Sequence, residues 1–368
     1  MKIVWFVHAI ASCWNNGNAH FLRGLGLAFQ KLGHEVAFCE PRGNWSETNL
    51  LSDHGAEALT SFRSTFPALQ PVKYDPDCPD LDALTHGADL VIVHEWNESP
   101  LVDALGRLRK RGARFTLLFH DTHHRAASAP GEMQKFDLSG YDGVLAFGQV
   151  IAEIYRERGW GRRAWAFHEA ADISTFYPRE AACEHDLVWI GNWGDEERSA
   201  ELREFLIEPA DALNISTKIY GVRYPAAVVE ELAARRISYG GWLPNHEAPL
   251  ALAKSRFTVH VPRRPYAKAL PGIPTIRVFE ALACGTPLIC APWNDSENLF
   301  PDNCYLTACN GEEMRRHMTS LTSDTDLRDS LRRNALAAIA DRHTCDHRAQ
   351  QLLDIYVALN PAEAREAA

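Results

Sequence analysis

The sequence predicts an α/β protein made of two domains, each built on a parallel β-sheet. Short apolar runs alternate with helix-length segments along the 368 residues, a pattern typical of βαβ units whose sheet is covered on both faces. The alternation stops in residues 172–186 and then restarts. A chain of this length is expected to form about two domains.

The strand-like runs fall into two series, one before and one after this interruption. The first series is 2–8, 35–39, 89–94, 114–120, 143–147 and 164–168, and the second is 186–191, 218–220, 237–239, 257–261, 287–290 and 305–307. We therefore predict domains over 1–178 and 179–347, with a closing helix within 348–368 that packs back on the first domain. Ligands of such sheets bind at the carboxyl ends of the strands, so the loops that follow the strands should carry the site.

Composition excludes several classes of protein. With 38 basic and 48 acidic residues the net charge is −10, which disfavours duplex nucleic acid as the main partner because such binding neutralises phosphates with Lys and Arg. The nine cysteines form no C-x-x-C pair, which favours reduced thiols in a cytoplasmic protein over disulfides or a structural zinc site. No apolar run is long enough to cross a bilayer, and the N-terminus reads as a strand and not as a signal peptide.

The strongest functional signal lies between His260 and Ile289. A strand ends in a loop rich in Arg, Lys, Gly and Pro, and a helix follows that Pro274 opens and Gly285 closes. Amides at a helix N-terminus bind anions, so this loop suits a diphosphate.

Charged side chains near that helix strengthen the interpretation. Arg263, Arg264 and Lys268 could add positive charge, and Glu280, in the second turn, could accept hydrogen bonds from two ribose hydroxyls. The alternative is a solvated basic loop with Glu280 on an exposed helix face.

One stretch matches the form R-x-F-E-A-x-A-x-G-x-P-[LV]-I, with Arg277, Phe279, Glu280, Ala281, Ala283, Gly285, Pro287, Leu288 and Ile289. It resembles the donor motif of GT-B glycosyltransferases, most of all the group related to spore-maturation proteins and, more distantly, the family-four retaining enzymes. The resemblance implies a GT-B fold, in which two Rossmann-like domains face a central cleft. Family-four enzymes carry a second glutamate where this chain has Gly272, and the spore-maturation-like group also lacks it.

The resemblance also implies donor-binding residues. Glu280 would hold the ribose, and Arg277 would lie near the diphosphate. The turn before Arg277 would also contact the diphosphate, and basic or polar residues of other loops would complete the donor site; these residues are Gly272, Ile273, Pro274, Thr275, Arg263, Lys268, Arg223 and Asn192.

Further segments resemble GT-B enzymes in order and spacing. They are 15–21, the G-H-E-V turn within 32–36, the domain-ending segment 170–178, the glycine loop 190–194 and the base-flanking loop 237–243. From these and the other strand ends we expect an acceptor site that contains His8, Asn15, Asn16, Gly17 and Trp96. Gly17 would allow a ligand to approach the backbone closely, although a simple βα turn would explain it equally well.

A histidine-rich stretch, Phe119 to Arg125, follows an apolar run and should lie at a strand's carboxyl end, in the cleft. His120 and Asp121 could transfer a proton or contact a sugar. With His123 and His124 they could instead bind a metal, or the cluster could be structural. The resemblance favours sugar contact and no metal, so we predict His120, Asp121 and the nearby Glu95 as catalytic residues.

Together these observations predict a glycosyltransferase that uses a nucleoside diphosphate sugar and needs no other cofactor. We take a UDP-sugar as the working donor and expect a metal-independent, retaining transfer to an acceptor hydroxyl. A sugar-nucleotide epimerase or hydrolase and a non-catalytic nucleotide-sugar-binding protein are the alternatives, with a metal-dependent hydrolase as a minor one. The sequence leaves open the base, the sugar, the choice between retention and inversion, the oligomeric state, the pathway and the acceptor, whether glycan, lipid, protein or small molecule.

Overall fold

The computed structural model describes residues 1–361, which divide into two compact units. Unit 1 comprises Met1–Glu169 and the C-terminal segment from Cys345, and unit 2 comprises Ala170–Thr344. These divisions fall a few residues before the boundaries suggested at 178 and 347. The segment after Ala170 belongs to unit 2 because Ala171 forms a β-bridge with Thr344 and donates its amide to the carbonyl of His343 at 2.9 Å.

Unit 1 is built on a parallel sheet with the strand order β3-β2-β1-β4-β5-β6-β7. Its strands are β1 (Lys2–Phe6), β2 (Glu35–Pro41), β3 (Val72–Tyr74), β4 (Leu90–His94), β5 (Thr116–Asp121), β6 (Gly143–Ala146) and β7 (Ala164–Ala166). The runs predicted for this half all contain a strand. The short β3, with Lys73 between two apolar residues, was not predicted because three residues carry too little pattern.

The helices of unit 1 cover both faces of this sheet. They are α1 (Asn18–Lys31), α2 (Trp45–His54), α3 (Glu57–Thr65), α4 (Leu81–Leu84), α5 (Ser99–Lys110), α6 (Arg125–Ser128), α7 (Pro130–Met133) and α8 (Gln149–Arg158), with 3-10 turns at Pro67–Leu69 and Leu138–Gly140. β4 and β5 are buried along their whole length, as expected for central strands covered on both faces.

Unit 2 repeats the architecture with the strand order β10-β9-β8-β11-β12-β13. Its strands are β8 (His185–Ile190), β9 (Thr217–Tyr220), β10 (Ser238–Tyr239), β11 (Ser255–His260), β12 (Leu288–Cys290) and β13 (Leu306–Thr307). Its helices are α9 (Ser199–Leu202), α10 (Glu208–Leu213), α11 (Ala226–Ala234), α12 (Ala248–Ala253), α13 (Arg264–Ala269), α14 (Ile276–Ala283), α15 (Gly311–Ser323) and α16 (Thr325–Arg342), with a π-turn at Arg203–Ile207 and a 3-10 turn at Asn245–Glu247.

Strand order reverses once in each unit, between β1 and β4 in unit 1 and between β8 and β11 in unit 2. In open parallel sheets, ligands bind at such a reversal, outside the carboxyl ends of the strands. The loops that follow these four strands are therefore where each unit should bind a ligand.

The last helix, α17 (Cys345–Leu359), belongs to unit 1. Lys31 of α1 pairs with Asp346 at 2.8 Å, and Gln351 Nε2 donates to the carbonyl of Ala166 at 2.9 Å. The rest of the segment predicted to pack back, residues 362–368, lies outside the described residues.

The structure also describes the state of the cysteines and the character of the helices. All nine cysteines lie within the described residues, and each is a free thiol. Over residues 1–361, the structure contains no helix with both the length and the apolar character needed to span a membrane.

Candidate functional site

An arginine that the sequence analysis did not single out lies at the centre of the candidate site in unit 2. Arg198 follows the loop after β8 and donates hydrogen bonds to the carbonyls of Val261, at 3.2 Å, and Asn192, at 2.6 Å. It also donates to Asn192 Oδ1 at 2.6 Å, and its guanidinium lies 5.2 Å from the ring centre of Trp189. Within residues 1–361, its hydrogen-bond acceptors are neutral oxygens, and the nearby carboxylate of Glu197 favours its charged form.

A glycine in this loop makes room for Arg198. Gly194 has φ +90°, and a Cβ at this position would lie 2.6 Å from Arg198 Cγ. A side chain at position 194 would therefore be strained and would displace the arginine. The spacing of Gly194 and Arg198, four residues apart after a strand, is the sequence signal that could have identified the arginine.

Two further arginines lie close enough to affect Arg198. Burial and, next, the charges of Arg263 and Arg277 lower the pKa of Arg198 to about 10, which leaves it charged at neutral pH. Arg263 bonds Glu197 Oε2 at 2.7 Å and also reaches Asn192 Oδ1 at 3.4 Å. The structure thus brings together Asn192, Arg263 and Arg277, three of the predicted donor-binding residues, around an unpredicted one. Like charges held together in this way indicate an anion-binding site.

Glu280 is held in α14 with its carboxylate buried. Asn245 Nδ2 donates to Oε1 at 3.0 Å, and Arg277, one turn earlier, pairs with Oε2. Arg277 and Glu280 are positioned by α14, whose apolar face, including Phe279, is buried within unit 2. Thr275 is the residue before the first turn of this helix. Glu280 is 2% exposed, so the alternative that it lies on an exposed helix face is wrong.

The turn before α14 is ordered by its own hydrogen bonds. His260 Nε2 lies 3.0 Å from Thr275 Oγ1, and the amide of Gly272 donates to the carbonyl of Asn294 at 2.6 Å. Ile273 is buried, and Pro274 lies before the helix and does not begin it. Part of the predicted basic loop is helix α13, and Gly285 adopts φ +64° after α14 ends.

Two predicted donor residues lie apart from these contacts. Arg223 is exposed, adopts φ +64° and pairs with Asp195 at 3.0 Å. Lys268 lies on the exposed side of α13 and lines a cavity of about 440 Å³. No contact of either residue with Arg198, Arg277 or Glu280 is seen in the described residues, and their donor-binding role stays a prediction.

In unit 1, a buried polar network joins the ends of β4 and β5. Thr122 Oγ1 donates to Glu95 Oε1 at 3.2 Å and lies 3.0 Å from His94 Nε2, and Asn18 Nδ2 donates to the same hydroxyl at 2.5 Å. Burial and, next, the charge of Asp121 raise the pKa of Glu95 well above its usual value, while burial lowers the pKa of His94. His94 Nε2 and Glu95 Oε2 lie 3.2 Å apart, and both pKa shifts disfavour an ion pair between them.

Asp121 is the last residue of β5 and does not lie in a loop. Tyr155 donates its hydroxyl to Oδ2 at 2.8 Å, and the amide of His123 donates to Oδ1 at 2.9 Å. Burial raises the pKa of Asp121 to about 6. Asp121 thus orients the start of the loop that carries Thr122 and His123.

His120 is the next-to-last residue of β5, within the strand-like run 114–120 that the sequence predicted. Its side chain is fully buried among aromatic rings, with ring centres 5.6 Å away for Trp5, 5.7 Å for Phe167 and 5.3 Å for His94. Neither ring nitrogen has a hydrogen-bond partner among the described residues. Burial lowers its pKa to about 3, so we assign His120 to packing.

We expect His120→Phe to fold and to lose less stability in acid than the wild type. Between pH 6.5 and about 3 the unfolded chain binds a proton that the native histidine does not, so stability falls as the pH falls through this window. Phenylalanine removes this term, which is about 2 kcal/mol between pH 7 and pH 5. Urea unfolding at the two pH values measures it, with the exposed His86→Phe as the control. An unchanged pH dependence, or loss of activity in folded His120→Phe, would contradict the assignment.

The predicted acceptor residues surround the loop after β1. His8 is half-buried, and burial lowers its pKa; Asn15 adopts φ +47°, and Asn16 Nδ2 donates to the carbonyl of Ala9 at 2.9 Å. Gly17 has φ −65° and ψ −33°, a conformation open to any residue, so the backbone does not require glycine there.

Trp96 follows β4, is 41% exposed, and lies under the guanidinium of Arg125 at 4.5 Å. His123 packs against the edge of the same ring, 4.8 Å between centres. This predicted acceptor residue is therefore held in place while much of its surface stays exposed.

Two buried charged side chains that the sequence analysis missed hold the loop after β1. Arg23 donates to the carbonyls of Ile10, at 2.7 Å, and Ala11, at 3.0 Å, and its guanidinium lies over Phe62 and Phe66. Glu40 Oε2 accepts the amide of Ile10 at 2.5 Å. The loop is thus fixed through both its carbonyls and its amides.

A metal site at the histidine-rich stretch would require several of its ligand-type side chains to converge on one point. His124 Nδ1 lies 2.6 Å from Ser128 Oγ, and the rings of His123 and His124 lie tilted to each other with centres 4.0 Å apart. In the part of the chain that the structure describes, no three His, Cys, Asp or Glu side chains converge as metal ligands.

Comparisons with known proteins agree with this architecture. Residues 198–354 match the family model described as Glycosyl transferase-like, and comparison with curated proteins returned no significant match. Sucrose-phosphate synthase from Thermosynechococcus elongatus superposes with a TM-score of 0.67 at 14% identity, covering 98% of this chain and 100% of that chain. The chain has a GT-B fold.

Two further GT-B structures contain nucleotide. Anabaena HepE in complex with UDP and glucose has a TM-score of 0.66 at 14% identity and covers 96% of this chain and 99% of that one. The T4 phage β-glucosyltransferase, in complex with UDP and Mn2+, has a TM-score of 0.60 at 11% identity and covers 98% and 99%. The predicted resemblance to GT-B glycosyltransferases is confirmed by the fold and the family match, whereas the spore-maturation-like subgroup stays a prediction.

Proposed function

We propose that this GT-B glycosyltransferase moves a sugar from a UDP-sugar to an acceptor hydroxyl, without a metal and with retention of configuration. The observation that carries the proposal is the cluster that Arg198 and Arg263 form with Arg277, the second residue of α14, with Glu280 one turn further along the helix. A diphosphate fits the cations and the helix amides, and the attached ribose fits the carboxylate.

In the proposed reaction, the bond between the sugar C1 and the diphosphate oxygen breaks while the acceptor oxygen bonds to C1. The acceptor proton passes to the departing phosphate. Negative charge grows on the diphosphate as it leaves, and the charge of Arg198 would stabilise it most in the transition state. Ribose binding would replace the Arg277–Glu280 contact, which would free Arg277 for the phosphate.

The acceptor would bind at the carboxyl ends of β1, β4 and β5. We propose that Trp96, His8 and the loop with Asn15 and Asn16 contact it, and that Asp121 positions the loop beside them. The resemblance of the α14 motif to the family-four retaining enzymes supports retention, and a retaining transfer needs no base at the place of Glu95 whereas an inverting one does.

The guanidinium cluster also supports metal independence, since it supplies the positive charge that a metal would otherwise provide. The free thiols of all nine cysteines are consistent with a reducing compartment, and we propose a cytoplasmic location on this basis.

A thermal-shift screen of UDP, GDP, ADP and TDP tests the proposal. We expect UDP to raise the melting temperature most, because a ligand at 100 times its Kd stabilises the native state by about 2.7 kcal/mol. The shift should be the same in EDTA. If no nucleoside diphosphate stabilises the protein, the donor site is wrong; if UDP stabilises it only with added Mn2+ or Mg2+, metal independence is wrong. Incubation with UDP-glucose alone then separates the alternatives, since an epimerase or hydrolase would react without an acceptor.

A further inference from the structure

The amino ends of β5, β6 and β7 in unit 1 lie beside a concentration of arginine that the candidate site does not use. The segments before β5 and β7, residues 107–114 and 156–163, contain nine basic residues and one acidic residue, although the net charge of the chain is −10. Because β5 and β7 flank β6, their amino ends lie about 10 Å apart at one edge of the sheet. Seven of the nine are exposed and form no ion pair within residues 1–361; we call them the arginine edge, and they are Arg107, Arg111, Arg114, Arg156, Arg158, Arg162 and Arg163.

Other basic residues at this edge of the sheet are neutralised by carboxylates. Lys2, at the start of β1, has a carboxylate oxygen 3.7 Å from its Nζ. The other two of the nine are paired as well. Arg109 lies 3.3 Å from Asp142, and Lys110 lies 3.5 Å from Asp137. The seven members of the arginine edge therefore differ from their neighbours in lacking a carboxylate partner among the described residues.

Stabilisation of the helix ends accounts for only part of the arginine edge. Cations favour the C-terminal end of a helix, and four members lie there: Arg107 and Arg111 at the end of α5, and Arg156 and Arg158 at the end of α8. The other three lie beyond the helices and are Arg114, Arg162 and Arg163. Exposed like charges repel one another, so their concentration here indicates an anionic partner.

Apolar side chains adjoin the arginine edge. Val357 of α17 is 48% exposed. Three residues later, Asn360 Nδ2 donates to Thr116 Oγ1 at 2.7 Å, which places this end of α17 beside the start of β5. Trp160 is half-buried, and the guanidinium of Arg158 lies 5.5 Å from its ring centre. A lipid surface offers phosphates together with an apolar layer, whereas nucleic acid offers phosphates without one, so this mixture favours lipid.

We propose that the arginine edge docks unit 1 on an anionic lipid bilayer, with its guanidinium groups bound to headgroup phosphates and Val357 at the interface. Arginine binds phosphate through paired hydrogen bonds, and clusters of about four to eight basic residues are attracted to anionic leaflets. The negative charge of the rest of the chain is screened beyond about 8 Å at physiological ionic strength. The loops of the candidate site in unit 1 follow the carboxyl ends of the strands, at the opposite edge of the sheet, so docking leaves them open.

Co-sedimentation of the full chain with lipid vesicles tests this surface. The wild type should bind vesicles of equal parts phosphatidylcholine and phosphatidylglycerol, should not bind vesicles of phosphatidylcholine alone, and should be released by high salt. A fourfold variant should weaken binding to the mixed vesicles by about 100- to 1,000-fold; its changes are Arg111→Gln, Arg114→Gln, Arg162→Gln and Arg163→Gln. Val357→Ser should weaken the same binding by a smaller factor.

A matched control removes the same charge from exposed positions outside the arginine edge; its changes are Arg63→Gln, Arg315→Gln, Arg316→Gln and Arg333→Gln. This control should bind the mixed vesicles as the wild type does. Thermal unfolding shows whether each variant is folded, and the single change Arg162→Gln, with a smaller expected loss, replaces the fourfold variant should that one fail to fold.

Three results would overturn the proposal. They are absence of wild-type binding to the mixed vesicles at low salt, equal binding of the wild type and the folded fourfold variant, and equal weakening in the control. A fourth is tighter binding of the wild type to duplex DNA or single-stranded RNA than to the mixed vesicles, which would make nucleic acid the partner. The proposal does not depend on the donor site, since the fourfold variant should bind UDP in solution as the wild type does.

Discussion

Glu280→Gln is expected to weaken UDP binding by about 10- to 100-fold, the effect of losing hydrogen bonds to a charged group. The glutamine keeps the size of the side chain, and its oxygen can still accept from Asn245. It cannot form the ion pair with Arg277 or accept two ribose hydroxyls as strongly. We prefer it to alanine because Glu280 is 2% exposed, and alanine would leave a cavity and an unpaired arginine.

Comparing UDP with 2′-deoxy-UDP isolates the ribose contact. The wild type should prefer UDP, and Glu280→Gln should lose most of that preference, a change that a merely structural defect would not produce. The control is Glu230→Gln, on an exposed position of α11. If folded Glu280→Gln binds UDP with wild-type affinity, or keeps the preference for the 2′-hydroxyl, the ribose assignment is wrong.

Arg198→Gln is expected to lower kcat by about 100- to 1,000-fold, the cost of removing one preorganised donor from developing negative charge. The charge of Arg198 is held in place by the carbonyls of Val261 and Asn192, so it needs no reorganisation when the diphosphate leaves. The loss should fall mainly on kcat, because the interaction is strongest in the transition state.

The release of UDP from UDP-glucose, with and without acceptor, measures this effect. Arg198→Lys keeps a charge but not the paired hydrogen bonds, so its kcat should lie between those of the wild type and Arg198→Gln. Arg203→Gln is a matched control, since Arg203 pairs with Glu231 at 3.0 Å on the surface. The affinity for uridine should be unchanged in every variant. A wild-type kcat in folded Arg198→Gln would remove Arg198 from the mechanism.

Most of the fold follows from local pattern. The apolar runs, and the helix-length segments and turn residues between them, predicted every strand except β3. The glycine and proline positions around α14 predicted a helix after a ligand-binding turn. These features are local: a strand is marked by its run of apolar residues, and the end of α14 is marked by Gly285, which adopts a left-handed φ. Local features can be recognised in a single sequence. The resemblance to the GT-B donor motif could be recognised for the same reason, because Arg277 and Glu280 both lie within one short motif.

The sequence by itself therefore determined the α/β class, the two sheets and the placement of Glu280 in the helix that follows the 272–275 turn. Only the tertiary structure decided which side chains meet across distant segments. It buried His120 among rings from three other segments, placed Arg198 against the loop after β11, and set Glu297 beside Gly272. Those outcomes depend on burial and on charges brought close by folding, and the pattern of any one segment carries no information about either.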